Sequence, residues 1–201
     1  MTQFDKVMWN DYAQELEFCG NALLDAIQHK GEPGVVADFW KFFPDFDDKA
    51  VAEAVANCKS YAEHVEMCGV WGTDPILEIS KDFETLFGAN PAAIPSEHYY
   101  VDDDNDVVAD MQEEFKKAQV PFHDATGQLA DHMGVELILA SVYAMRAAQG
   151  DIKAPEQFDV YADRHPRAWI DALCTNAYKA APKSYYYNVL ALAQALLKLK
   201  R

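Results

Sequence analysis

The sequence predicts an all-α fold, a single globular domain of about seven to eight or more helices. Three observations support this prediction. Apolar residues recur at three- and four-residue steps along most of the chain, alternating strand patterns are scarce, and Gly or Pro separates the periodic segments. Half of the 201 residues are apolar and 12% are aromatic, which is enough to build a substantial core.

The first predicted helix has a continuous apolar face between Tyr12 and Ile27. That face consists of Tyr12, Leu16, Cys19, Leu23, Leu24 and Ile27. The segment 29–34, with Gly31, Pro33 and Gly34, then breaks the helix. A short aromatic-rich segment over 35–43 follows and ends at Pro44.

Asp47 or Asp48 is expected to cap a second helix, whose apolar positions run from Val51 to Val65. Asp74-Pro75 is typical of a new helix start, because proline is favoured in the first turn. The third helix is predicted over 76–87, and Gly88 is expected to end it in the left-handed conformation. Its inward side chains are predicted to be Leu77, Phe83, Leu86 and Phe87.

Residues 89–106 form the longest irregular stretch, in which Pro91 and Pro95 discourage regular structure and the aspartates favour solvent. Long ordered loops in compact domains are often functional, so this loop is a candidate site. Helical spacing resumes over 107–118. The domain, residues 1–201, therefore divides into helical parts at about 1–88 and 107–201.

Three further helices are predicted in the C-terminal part. One begins near Asp131 and ends at about Gln149, where Gly150 stops it. A second is expected to run from 156 through Trp169 to 178, and a third from 184 to 199 after the break at Pro182.

The net charge of −16 argues against nucleic acid as a partner, since phosphate binding requires a basic surface. The charge is uneven, because no acid follows Asp171 and the last thirty residues are basic. An acidic body attracts a cationic partner, although a generic solubilising charge explains the composition equally well.

The remaining composition signals favour a cytoplasmic protein. The four cysteines form no CxxC pair, so we expect buried free thiols and no metal or other cofactor. The first fourteen residues lack the pattern of a secretory signal. The most apolar stretch, 133–148, contains Glu136 and Arg146 and is too short to span a bilayer, so no stable membrane insertion is expected.

No phosphate loop, GxSxG elbow or HExxH pair is present, so no local sequence motif supports an enzymatic function. The stretch 102–113 imitates a calcium loop, with acidic residues at positions 1, 3, 5 and 12. Position 6, however, is Val107 instead of the glycine that the turn requires. A calcium-responsive module and an uncharacterised Asp/His-dependent enzyme remain the alternative functions.

Asp131 and His132 form a second candidate constellation. We expect Asp131 to cap the following helix, and His132 to project neutral from the first turn, near the positive end of the helix dipole. Such a pair can hold a peptide backbone or a cationic side chain. His165 and Trp169, four residues apart, are expected on one helix face, where the tryptophan serves either a binding site or the core.

Three segments in this order carry a family resemblance over residues 83–197. They are Leu86-Phe87-Gly88 with Pro91, Pro95 and the run Glu97 to Asp102; then Gln128-Leu129-Ala130-Asp131-His132; then His165 and Trp169. The chain resembles the TorD/DmsD/NarJ-like chaperones that serve molybdoenzymes (redox enzyme maturation proteins). Gln128 stands where that family has Glu, and Leu129 where it has Pro.

The resemblance implies a TorD-like helical fold without catalysis. It implies a cytoplasmic chaperone that binds the twin-arginine leader peptide or the apo-form of a molybdopterin oxidoreductase, and acts as a monomer or a domain-swapped homodimer. We expect the loop before Val107 and the turn before Met133 to meet and form a peptide groove. The implied peptide-binding residues are Asp131, His132, Gln128, Tyr99, Tyr100, Glu97, His165 and Trp169.

Overall fold

The computed structural model describes residues 4–70, 74–101, 106–122 and 127–200. Eight α-helices and two short 3-10 helices lie in these residues, and no strand does, so the predicted all-α fold is confirmed. The α-helices are α1 Lys6–Leu24, α2 Lys49–Val70, α3 Pro75–Phe87, α4 Val107–Lys117, α5 Met133–Gln149, α6 Ala154–Arg164, α7 Pro166–Ala180 and α8 Tyr185–Lys198. The 3-10 helices are Phe39–Phe42 and Glu97–Tyr99.

Helix α1 begins six residues before the predicted apolar face. The Asp5 carboxylate accepts the backbone N–H groups of Val7 and Met8, each at 2.9 Å, and so supplies the cap that periodicity alone did not indicate. The helix ends at Leu24, because Asp25 is extended. Ile27 therefore lies beyond the helix, where it is buried and donates its N–H to the Tyr186 hydroxyl at 2.9 Å.

The starts of α2 and α3 follow the sequence prediction. Asp48 accepts the N–H groups of Ala50 and Val51, and Asp74 accepts that of Ile76 ahead of Pro75.

Two details of α3 were predicted wrongly. Leu77 is 58% exposed, since Ile79 occupies the inward position instead. Gly88 ends the helix with φ −70°, not in the left-handed region. Glycine is needed there because a Cβ would lie 2.5 Å from the Glu84 carbonyl oxygen.

The predicted helix over 156–178 is two helices, α6 and α7, which meet at His165. Pro166 has no N–H to continue the hydrogen-bond ladder, and its ring disfavours the helical conformation of the preceding residue. His165 accordingly takes φ −114° and ψ −95°. His165 and Trp169 do not share a helix face, since His165 lies at the break. This break turns the His165 side chain towards the interior.

Helix α5 is the centre of the molecule and is buried on most of its surface. It packs most extensively against α1, where Gly20 and Gly134 face each other. A Cβ on either glycine would lie 2.7 Å from the carbonyl oxygen of the other, so the two backbones are in direct contact. Gly150 ends α5 with φ 95°, as predicted.

All four cysteines are free and buried, as the sequence indicated. Among the described residues, none of the helices combines the length and apolar character needed to cross a bilayer.

Candidate functional site

The loop before α4 and the turn before α5 meet in space, which confirms the predicted contact between them. Ser96 and His132 form an isolated antiparallel bridge. The Glu97 N–H donates to the Asp131 carbonyl oxygen at 2.9 Å, and the Met133 N–H donates to the Pro95 carbonyl oxygen at 2.8 Å. The two segments that carry the family-like motifs therefore form one unit, although more than thirty residues separate them.

Asp131 anchors this unit and is not the cap of α5, so the predicted capping role is wrong. Its side chain is fully buried, and its Oδ2 accepts the His98 N–H at 3.1 Å. The same oxygen lies 2.5 Å from His98 Nδ1. The 3-10 helix at 97–99 supplies these donors from across the chain, which sequence spacing does not reveal.

His132 takes the capping position instead. Its Nδ1 accepts the Gly134 N–H at 3.0 Å, so the neutral ring carries its hydrogen on Nε2. Burial lowers the pKa of His132 to about 4, against a smaller opposing effect of the Asp131 carboxylate. A lowered pKa agrees with the expected neutral imidazole. His132 is only 3% exposed, however, so it has little surface to offer a bound peptide.

Glu97, the residue after Ser96 of the bridge, forms a second buried pair with His165. Glu97 Oε2 is 2.9 Å from His165 Nδ1, and each side chain is 3% exposed. This contact ties the 95–101 loop to the junction of α6 and α7, so the helix break at Pro166 has a structural use.

Glu136, on the first turn of α5, completes the cluster. Its Oε2 accepts the Trp169 Nε1–H at 3.0 Å, and its carbonyl oxygen accepts the Tyr161 hydroxyl at 3.0 Å. Burial, and after it the neighbouring Glu97, raise the pKa of Glu136 well above the ordinary carboxyl value, which favours the protonated form of this acid. Sequence reasoning treated Glu136 only as a charge in an apolar stretch. The position of an acidic residue one turn after Asp131 and His132 was the sequence signal that could have identified Glu136 as part of the site.

The predicted binding residues thus divide into buried and accessible groups. The buried ones are Glu97, Asp131, His132, His165 and Trp169. Tyr100 stacks on Trp169, with ring centroids 5.2 Å apart, and thereby covers the tryptophan that was expected to line a groove. Tyr99 is 61% exposed, and Gln128 is half-buried, with its amide 3.4 Å from the Leu24 carbonyl oxygen.

The buried cluster connects three separate parts of the chain. Asp131 Oδ1, Glu136 Oε1 and His165 Nε2 are buried and accept no hydrogen bond from the described residues. Among those residues, no group of His, Cys, Asp and Glu side chains is arranged to hold a metal ion. The cluster joins a loop, the start of α5 and the α6–α7 junction, and fixes the surface above it.

The calcium-loop alternative falls partly outside the described residues, since 102–105 are not among them. Two of its ligand positions are described. The Asp106 carboxylate accepts the Ala109 N–H at 3.1 Å as the cap of α4, and Glu113 pairs with Lys116 at 2.5 Å. Both acids therefore have other partners in this conformation.

Replacing His132 by asparagine is expected to reduce the acid sensitivity of the fold, because asparagine also caps helices but does not titrate. Between pH 6.5 and 4 the unfolded state binds a proton that native His132 does not, so native stability falls as the pH falls. We expect the variant to avoid about 2–3 kcal/mol of that loss. Urea unfolding at pH 7.5 and 4.5 measures it, and equal acid losses in both proteins would contradict it.

Comparison with known proteins gives one family. The sequence model of the family described as "Nitrate reductase delta subunit" matches residues 45–175, more than half of the chain. Neither the curated proteins nor the solved structures gave a match. The matched range contains α2 to α6, most of α7 and the whole buried cluster. The chain therefore belongs to the nitrate reductase delta subunit family, of the NarJ/TorD type, whose members are assembly chaperones for molybdoenzymes.

Proposed function

We propose that the protein is a cytoplasmic chaperone for a molybdopterin oxidoreductase subunit. It binds the client's twin-arginine-type leader peptide or the apo-form of the subunit. By doing so it assists cofactor insertion and assembly before export. Family membership supports the class of function, and the arrangement of the 95–101 loop supports peptide binding.

The observation that carries the proposal is a pair of exposed apolar side chains, one on each of the two segments that the bridge joins. Tyr99 is 61% exposed and Leu129 is 51% exposed. They flank His98 and Asp131, whose contact joins the two segments. Exposed apolar side chains held by a fixed backbone bind a partner at low entropic cost, because little ordering remains to be done.

In this proposal the buried residues position the surface, and the accessible ones contact the peptide. Asp131, His132, Glu97, His165 and Trp169 fix the loop, the start of α5 and the region of α6 and α7 in place. Tyr99, Tyr100 and Gln128 offer aromatic faces and an amide to the bound chain. Alanine at both Asp131 and His132 is therefore expected to destabilise the fold.

Calorimetric titration with the leader peptide of a molybdopterin oxidoreductase subunit from the same genome tests the proposal. The full-length protein is expected to bind the leader, and to bind more weakly a leader whose two arginines are replaced by glutamine. Absence of binding to such leaders and to the apo-subunits that carry them would end the proposal.

The exposed pair is tested separately. We expect the double variant Tyr99→Ser/Leu129→Ser to bind the leader at least about tenfold more weakly, which corresponds to about 1.4 kcal/mol. The matched control is Leu77→Ser/Val160→Ser, which changes two side chains of similar exposure, 58% and 65%, on α3 and α6. Equal losses in both variants would show that the effect is not specific to the pair.

A further inference from the structure

A groove runs along the outer face of α1, away from the buried cluster. It lies between α1 and the segment 27–39, with Tyr185 of α8 at its base, and has a volume of about 370 Å³. The α1 side chains that line it are spaced three and four apart, so they form one stripe of the helix. They are Gln14, Glu17, Phe18, Asn21 and Ala22, and Asp25 lines the groove just beyond the end of the helix.

The floor of the groove is apolar and aromatic. The rings of Phe18 and Phe39 are 4.8 Å apart, and Ile27 and Tyr185 are buried beneath. The Tyr185 hydroxyl donates to the Pro33 carbonyl oxygen at 3.3 Å, which fixes the wall opposite α1. Gly34 permits this approach, because a Cβ there would lie 2.7 Å from the Phe18 ring. The floor is therefore built by contacts from three parts of the chain.

The rim of the groove is acidic. Glu17, Asp25 and Glu32 line it, and no lysine or arginine does. Glu32 already accepts the N–H groups of Gln28 and His29. Glu17 and Asp25 are exposed and have no ion-pair partner within the part of the chain that the structure describes. Glu17 lies on α1 and Asp25 directly follows its last residue, so helix geometry places their backbones on the order of 12 Å apart, which a short peptide segment with two long cationic side chains can span.

The groove lies outside the family match but beside the proposed peptide surface. All of its lining residues lie outside the range 45–175 that matches the family, so the groove belongs to the part of this chain that the family model does not describe. The amide of Gln128 reaches the Leu24 carbonyl oxygen, one residue before Asp25. The groove thus adjoins the turn that carries the proposed peptide surface.

We propose that this groove binds the leader segment in which two arginines precede apolar residues. The inference rests on the proposed function and adds a site to it. Glu17 and Asp25 pair with the cationic side chains, and the floor formed by Phe18, Phe39 and Ile27 takes the apolar residues that follow. A volume of this size accommodates a few side chains of a peptide rather than a folded partner.

The test uses the full-length protein and a fluorescently labelled twin-arginine leader peptide of a molybdopterin oxidoreductase subunit. The double variant Glu17→Gln/Asp25→Asn removes both rim charges with little change of shape. We expect its dissociation constant for the leader to rise at least about tenfold, and the salt dependence of binding to become weaker. The control Glu53→Gln/Glu156→Gln removes the same net charge from exposed positions on α2 and α6, and is expected to change affinity less than about twofold.

A second variant tests the apolar floor. Ala22→Arg places a long cationic side chain in the groove from the half-buried face of α1. It is expected to abolish leader binding while the thermal midpoint stays within a few degrees of the parent.

If the parent binds the leader and neither variant weakens that binding, the groove proposal is overturned and the proposed function stays intact. Failure of the parent itself to bind would overturn both. A change of oligomeric state in gel filtration, with unchanged leader affinity, would identify the groove as a contact between two copies and also overturn the proposal.

Discussion

Replacing Gly134 by alanine is expected to lower the free energy of unfolding by about 3 kcal/mol, because the new methyl group has no space. It would lie 2.7 Å from the Gly20 carbonyl oxygen and 2.9 Å from a methyl carbon of Leu24. The first of these is backbone and cannot move without separating α1 from α5. Alanine otherwise favours a helix interior by about 0.5–1 kcal/mol over glycine, so a net loss is diagnostic of the contact.

Urea unfolding measures the effect, and Gly31→Ala is the matched control. Gly31 has an ordinary φ, and a Cβ there would meet no atom closer than 3.9 Å. We expect the control to change stability by less than about 0.5 kcal/mol. A Gly134→Ala protein as stable as its parent would mean that the two helices are further apart than described.

The contact between Gly20 and Gly134 also bears on binding. It fixes the start of α5 against the end of α1, and therefore sets the turn at 127–132 beside Leu24 and Asp25. The exposed pair Tyr99 and Leu129 and the groove along α1 depend on the same packing. A variant that separates the helices without unfolding the chain is expected to weaken leader binding as well as stability.

Local signals in the sequence were sufficient for most of the secondary structure. Asp48, Asp74-Pro75 and Gly150 each act within one turn of the helix end that they define, so their effect is readable without tertiary information. The exception at His165 is instructive. Apolar periodicity continues through it, and only the effect of Pro166 on its neighbour predicts the break between α6 and α7.

The candidate site was less predictable, because its geometry is non-local. The resemblance indicated that the Asp131 and Glu97 segments meet, but the partners of each side chain come from elsewhere in the chain. Spacing alone favoured Asp131 as the helix cap. In the structure the Asp131 carboxylate instead accepts the His98 N–H, and His132 caps the helix. Burial of Trp169 beneath Tyr100 likewise depends on tertiary packing, which converts an expected contact residue into a support.

The second large effect is expected at Glu136. Replacing it by alanine leaves the Trp169 Nε1–H, which is buried, without its acceptor and opens a cavity in the first turn of α5. An unsatisfied buried donor and a cavity of this kind together cost about 3–4 kcal/mol. Glutamine retains the size and the neutral charge of the protonated acid, and its oxygen can accept from Trp169. Glu136→Gln is therefore expected to keep the fold that Glu136→Ala weakens.

The wild type and Glu136→Gln are further distinguished by the pH dependence of their stability. Burial and Glu97 raise the native pKa of Glu136, so above the ordinary carboxyl pKa the native state holds a proton that the unfolded state releases. Wild-type stability from this group therefore falls as the pH rises, whereas Glu136→Gln has no such loss. Urea unfolding at pH 5 and pH 8 should show the glutamine variant gaining on the wild type at the higher pH. Glu156→Gln, at an exposed position, is expected to show no such gain, and a wild type that becomes more stable relative to Glu136→Gln at pH 8 would mean that the buried acid is ionised.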